Sequence, residues 1–253
     1  MGNGPTLLLI HGAGGATHSW QHLIPYLTTT HRVVAIDLPG QGFTQSGAQR
    51  RCGIDPMADD IIALMQAEGI RPAALIGHSA GAALALRIAE LTPIPHIIGI
   101  NAALDTFQGV AGVLFPALAK TIAALPMAAN VFSATASQGQ AVARIIQGTG
   151  SNLPPDDLEL YRRLVASPSH VQATLQMMAQ WKLEPLLARL PDMKTKIHLI
   201  AAKNDRAVPP GTTIKSATIL PNAQAIMLEY LGHLAHEEDA GTVAQHILRA
   251  LNA

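Results

Sequence analysis

The sequence predicts an α/β protein: a mostly parallel sheet of about six strands, helices on both of its faces, and a helical cap. Three observations predict it. Short β-type runs alternate with helix-type runs along most of the chain, the rhythm of a parallel sheet joined by crossover helices. Most of the strand runs are almost continuously apolar, as strands buried on both faces must be. Finally, Gly77-His78-Ser79-Ala80-Gly81 sits between the apolar run Ala73-Ala74-Leu75-Ile76 and the helix-forming run Ala82-Ala83-Leu84-Ala85-Leu86-Arg87-Ile88-Ala89. That is G-x-S-x-G at a strand–turn–helix junction.

In chain order, strands are predicted at Thr6–Ile10, Arg32–Asp37, Ala73–His78, His96–Asn101, Lys196–Ala202 and Gln224–Tyr230. Between and after them, helices are predicted at Ser19–Thr28, Asp55–Glu68, Ala80–Leu91, Pro210–Ile219 and Ala240–Leu251. Pro39-Gly40-Gln41-Gly42 reads as a loop after the second strand. The rhythm breaks between Leu104 and Pro191, where helices are predicted at Gly112–Leu125, Gln138–Gln147, Asp156–Ser167 and Ser169–Trp181 with no strand between them. This insertion is too long for an ordinary loop. The chain thus divides into a core of residues 1–104 and 191–253 and a helical cap of residues 105–190. Inserted after the fourth strand, the cap is expected over the carboxyl ends of the strands, where open α/β sheets bind ligands. Its large apolar residues either pack it against the core or line an apolar pocket. Phe107, Met178 and Trp181 are the candidates for contact with a substrate.

Composition limits the function classes. Of 253 residues, 49% are hydrophobic and 13% charged, with 17 basic and 17 acidic side chains giving no formal net charge. No block of like charge marks a nucleic-acid binder. With Cys52 as the single cysteine, an intramolecular disulfide and a thiolate metal cage are both excluded. No H-E-x-x-H or comparable cluster argues for a metal, and neither G-x-G-x-x-G nor a P-loop argues for a nucleotide. No cofactor is expected. The first apolar run, Leu7 to Ile10, is too short for a signal peptide, so a cytoplasmic location is the default. The most membrane-like stretch, Gly109 to Ala128, is interrupted by Pro116, Lys120 and Pro126 and is not expected to span a bilayer.

The chemistry-bearing residues follow from the elbow. A serine at this turn is lifted above the sheet beside a helix N-terminus, but it needs a base to take its proton and an acid to orient that base. His233, in Leu231-Gly232-His233-Leu234, follows the last strand and is preferred as base over His236, three residues on. Asp205, in the turn after the fifth strand, is preferred as acid over Asp105, which follows the fourth. The order Ser79, Asp205, His233 is that of the nucleophile-elbow hydrolases. An oxyanion needs donors. The backbone N–H groups of Ala80 and of Ala13 (or Gly12), in the glycine-rich turn after the first strand, are the natural pair.

Taken together, Ile10-His11-Gly12, Asp37-Leu38-Pro39-Gly40-Gln41-Gly42, the elbow, Asn204-Asp205 and Gly232-His233 resemble the α/β-hydrolase superfamily from Thr6 to the end of the chain. A narrower resemblance rests on Gly77 to Ala83, Gly148-Thr149-Gly150-Ser151, Met177-Met178-Ala179-Gln180-Trp181, Asn204 to Pro210 and Gly232 to Glu238. These look like the BchO-type magnesium-chelatase accessory hydrolases of phototrophic bacteria. That resemblance implies a role in bacteriochlorophyll biosynthesis, near the insertion of Mg²⁺ into protoporphyrin IX. It also implies a porphyrin or another apolar molecule as ligand and chelatase subunits as partners. Most of the superfamily has two strands before the first one seen here. Without them Arg32–Asp37 becomes a sheet edge, open to pairing with a second copy in a homodimer.

Two functional readings follow. In the first, Ser79, His233 and Asp205 hydrolyse an ester or related acyl bond of a bulky apolar molecule. In the second, the protein holds a porphyrin under the cap, or assists the chelatase, without hydrolysis. A general carboxylesterase or a cofactor-free haloperoxidase stays open as a further alternative. Epoxide hydrolases and haloalkane dehalogenases use an aspartate where this chain has Ser79.

Overall fold

The computed structural model describes residues 1–47, 51–105 and 127–252. Six strands are seen among them: β1 (Thr6–Ile10), β2 (Arg32–Ile36), β3 (Pro72–His78), β4 (His96–Ile100), β5 (Lys196–Ala202) and β6 (Ala223–Leu228). They form one sheet in the order β2-β1-β3-β4-β5-β6, and every neighbouring pair is parallel. The order reverses at β1/β3, so the loops after these two strands flank one crevice at the carboxyl edge.

Around the sheet lie α1 (Ile24–Leu27), α2 (Ile54–Ala67), α3 (Ala80–Leu91), α9 (Pro210–Ile219), α10 (Ala235–Glu238) and α11 (Ala240–Asn252). Between β4 and β5 come α4 (Ala128–Ala136), α5 (Ala141–Gly148), α6 (Pro155–Val165), α7 (Pro168–Gln180) and α8 (Glu184–Leu187). The two faces of the sheet are covered by separate apolar clusters. Leu8, Ile10, Leu75, Ile97 and Leu199 meet α2 and α3 on one side. On the other, Leu7, Leu9, Ile76, Ile98 and Ile200 meet α11 and Trp20. Adjacent strand residues point to opposite faces, so two buried faces require the unbroken apolar runs seen in the sequence.

Some expectations shift. The helix expected at Ser19–Thr28 is a 3₁₀ turn (Thr17–Trp20) followed by the one-turn α1. Pro25 stands in the first turn of α1, where proline fits as it would not in a helix interior. β6 stops at Leu228, and Tyr230 takes a left-handed φ of 67°. The helix expected at Gly112–Leu125 lies outside the described residues. Leu183, Leu186 and Leu190 belong to the main core cluster, so the layer above the carboxyl edge is carried by α4 to α7.

β2 is an edge strand, and its outer side is met by Met1. The Met1 ammonium donates to Val33 O at 2.9 Å and Val33 N–H donates back to Met1 O at 2.7 Å.

Candidate active site

Ser79 stands between β3 and α3 with φ 52° and ψ −117°, a conformation outside the ordinary regions for a residue with a Cβ. The flanking glycines make it reachable. A Cβ on Gly77 would lie 2.4 Å from Gly81 O, and one on Gly81 would lie 2.1 Å from Ile10 O. Two bonds to the end of the neighbouring strand fix the turn: Ser79 N–H to Ile100 O at 2.9 Å and Ala103 N–H to Ser79 O at 3.1 Å.

His233, in the loop between β6 and α10, donates from Nδ1 to Asp205 Oδ2 at 2.8 Å, which leaves Nε2 as its basic nitrogen. Asp205 is buried, and its other oxygen accepts the N–H groups of Ala207 and Val208, each at 2.8 Å. It is Asp205, rather than Asp105, that meets the imidazole. His236 is wholly buried, its ring lying 4.6 Å from that of Trp20 and 4.5 Å from that of His78. Among the described residues neither of its ring nitrogens has a hydrogen-bond partner. Burial drives its pKa down to about 3, so it sits as a neutral aromatic filler.

The group that holds the His233 loop from beneath, His78 with Asn101, carries no motif by which sequence reasoning could have found it. His233 O accepts from His78 Nε2 at 2.8 Å and from Asn101 Nδ2 at 2.8 Å. Asn101 also donates to Gly232 O and accepts from Ala202 N–H at 2.7 Å. One side chain thus joins the ends of β4 and β5 to the histidine loop. Its φ of 46° suits asparagine, which enters the left-handed region more readily than most residues. From above, the cap segment closes on the same loop. Ser151 Oγ accepts from Leu234 N–H at 2.8 Å and donates to Glu238 Oε1 at 2.7 Å. Gly232 lies so close to Gly150 that a Cβ would meet its carbonyl oxygen at 2.3 Å. This contact explains the Gly148-Thr149-Gly150-Ser151 motif as a clasp between cap and core.

The glycine turn after β1 is held in the same way. Gly14 N–H donates to Gln41 Oε1 at 2.8 Å, and His170 of α7 donates from Nε2 to Gly14 O at 3.2 Å. Ala13 lines the cavity over the elbow together with Gly12, whereas Ala80 opens α3 and would act through its backbone N–H.

That cavity has a volume of about 400 Å³. Ser79, His78 and His233 form its polar floor, and Phe132, Val142, Ile146, Val171, Leu175 and Met178 its apolar walls. Ser19 and Tyr161 also reach it, and no lysine or arginine stands among its described lining residues. Of the three candidate substrate contacts, Met178 is on the wall. Trp181 is not: it leaves α7 on the far side and packs half-buried against the main core cluster. Facing that way satisfies a large apolar ring whose neighbours Met177 and Leu183 are core residues. Phe107 lies outside the described residues. Among the described residues no group of three or more His, Cys, Asp or Glu is placed to hold a metal, and no helix is long and apolar enough to cross a membrane.

A parallel sheet with a strained serine elbow, and a histidine after its last strand, defines the class of the α/β hydrolases. The family model for the alpha/beta hydrolase fold matches residues 5–240, and the chain belongs to that family. Within it, the chain is 44% identical over 246 residues to the magnesium-chelatase 30 kDa subunit of Rhodobacter capsulatus, covering 97% of this chain and 86% of that one. A solved alpha/beta hydrolase fold protein from Burkholderia ambifaria superposes with a TM-score of 0.82 at 25% identity, covering 98% of this chain and 92% of that one. A thermophilic esterase from Thermogutta terrifontis shares the fold with a TM-score of 0.78 at 22% identity, over 100% of this chain and 92% of that one.

Proposed function

We propose that the protein is a serine hydrolase that cleaves an ester or related acyl bond of a bulky apolar molecule, and that it serves magnesium insertion in bacteriochlorophyll biosynthesis. Ser79 would attack the carbonyl while His233 Nε2 takes its proton. Asp205 would keep the proton on Nδ1 and stabilise the imidazolium that forms. The N–H groups of Ala13 and Ala80 would receive the oxyanion. The observation that carries this reading is the convergence of a strained Ser79 and a carboxylate-anchored His233 on one apolar cavity. The pathway rests on the 44% identity to the chelatase 30 kDa subunit. Incubation with a fluorophosphonate probe should label wild type at Ser79 and leave Ser79→Ala and His233→Ala unlabelled. Labelling that survives Ser79→Ala removes the mechanism.

A second reading is favoured by the same relative, whose name is that of a chelatase subunit: the fold assists the chelatase without hydrolysis. Complementing a strain that lacks the protein separates the two. Rescue of magnesium chelation by wild type and not by Ser79→Ala supports catalysis, and equal rescue by both supports the accessory role. We place the protein in the cytoplasm and propose a homodimer, which sedimentation at rising concentration would test.

A further inference from the structure

The oxyanion donor assigned to Ala13 belongs to a tight turn that the cap holds in place. Gly15 N–H donates to Gly12 O at 3.0 Å and closes the turn Gly12-Ala13-Gly14-Gly15, with Gly14 at a φ of 79°. The turn lies against the elbow: a Cβ on Gly12 would sit 3.0 Å from the Ser79 Cβ. A turn of this kind leaves the N–H of its second residue unused, and among the described residues the Ala13 N–H has no hydrogen-bond partner. Its direction is fixed through Gly14, and both polar groups of Gly14 lead to α7. Gly14 O accepts from His170 Nε2 at 3.2 Å. Gly14 N–H donates to Gln41 Oε1 at 2.8 Å, and Gln41 Nε2 in turn donates to Met177 Sδ at 3.2 Å.

We infer that His170 is a positioning residue for the oxyanion site, through which the cap helix α7 sets the direction of the Ala13 N–H beside Ser79. The two partners of the ring fix its form. Gly14 O has only lone pairs to offer, and Gly42 N–H, its nitrogen 3.1 Å from Nδ1, only a proton. The imidazole is therefore neutral, with its proton on Nε2. Burial lowers its pKa from the ordinary 6.5 and keeps it in that form. His170 thus joins the turn after β1 to the loop after β2, and neither ring nitrogen is left over to act on a substrate. The same helix supplies Val171, Thr174, Leu175 and Met178 to the cavity wall. With one set of side chains α7 holds the apolar part of a substrate, and with His170 it holds the donor for the oxyanion, so the acyl bond is registered against both. An oxyanion donor acts where it points at the developing charge, so the role belongs to the transition state more than to ground-state binding.

This role rests on the hydrolase reading above, and the test separates the two. In His170→Asn the side-chain amide stands where Nδ1 stood and keeps the bond from Gly42 N–H. In His170→Gln the longer side chain carries the amide to the place of Nε2 and keeps the bond to Gly14 O. On a p-nitrophenyl ester, His170→Gln should hold kcat within about threefold of wild type, whereas His170→Asn should lose about ten- to hundredfold. That is less than the ~10²- to 10³-fold lost with an oxyanion donor outright, because the Ala13 N–H is displaced and not removed. KM should change by less than about twofold in both. The rate of fluorophosphonate labelling at Ser79 should fall in the same order, since the phosphoryl oxygen occupies the same donors. Each variant gives up one hydrogen bond, so calorimetry should find their melting temperatures within about 4 °C of each other. Equal kcat in His170→Gln and His170→Asn, a faster His170→Asn, or a loss confined to KM overturns the positioning role, and a wild type labelled at Ser79 then leaves the hydrolase standing. A wild type that takes no label removes the hydrolase and this role with it.

Discussion

Ser79 holds a φ of 52° in a turn whose flanking residues, Gly77 and Gly81, have no room for a Cβ. Gly81 is the tightest. Its added Cβ would meet the carbonyl oxygens of Ile10 and His11 at 2.1 and 2.6 Å, and backbone cannot move aside as a side-chain end can. Gly81→Ala should cost about 3 kcal/mol or more and lower the melting temperature by roughly 6–12 °C for a chain of this size, as calorimetry would show. For chemistry, Asp205→Asn should lower kcat/KM on a p-nitrophenyl ester by about 10²- to 10⁴-fold, because the amide no longer fixes the proton on Nδ1. A loss of less than tenfold would show that Asp205 does not orient the base. Ser79, Asp205 and His233 could be chosen from the sequence because each lies directly after an apolar run in a short, recognisable turn. Asn101 and Tyr161 could not. Their importance comes from partners more than 70 positions away in sequence: Asn101 bonds the loop at Gly232 and His233, and Tyr161 bonds Glu237.

At the scale of elements, the cap is fastened to the core both away from the site, where Asp157 meets Gln21 and His22 and Arg189 meets Glu90, and around it. Ser151 ties the segment between α5 and α6 to Leu234 and Glu238, and His170 of α7 ties the glycine turn after β1. Ser151→Ala leaves the buried Leu234 N–H without its acceptor, which should cost about 1–3 kcal/mol. It should also loosen the His233 loop, so that kcat on an ester falls more than KM rises. A variant that melts lower with unchanged kcat would make the clasp purely structural. The strands were legible to within two residues at most ends, since a sheet buried on both faces writes continuous apolar runs. The cap was less so. The sequence marks Trp181 as a candidate pocket residue, but its direction is decided by whether α7 turns that position to the cavity or to the core. Periodicity over one helix does not contain that choice.

Across the whole molecule, the buried titratable groups predict a stability optimum. Burial lowers His11 and His18 to about 4 and His236 to about 3, and it also lowers His78 and His170. In the unfolded chain these rings take up protons near the ordinary value of 6.5. Their contribution is therefore complete above that pH and is lost as pH falls through the folded values. Glu237 works in the opposite sense. Its folded value of about 8 exceeds the ordinary 4.5, so the folded chain keeps a proton the unfolded chain has lost, and stability falls as pH rises toward 8. Below 6.5 the several histidines outweigh the one acid. The melting temperature should therefore peak near pH 6.5. Glu237→Gln should flatten the alkaline side and leave the acid side in place. A wild-type profile that keeps rising to pH 8 would contradict the protonated Glu237.

The reciprocal bonds between Met1 and Val33 are those of an antiparallel hydrogen-bonded pair. Chain placed ahead of Met1 is thereby aimed along β2, toward Ile36 and the carboxyl edge of the sheet. A purification tag fused there would be no passive handle. Its last residues would be templated as an extra strand, protecting the β2 amides from hydrogen exchange and burying the boundary at which a protease is meant to cut.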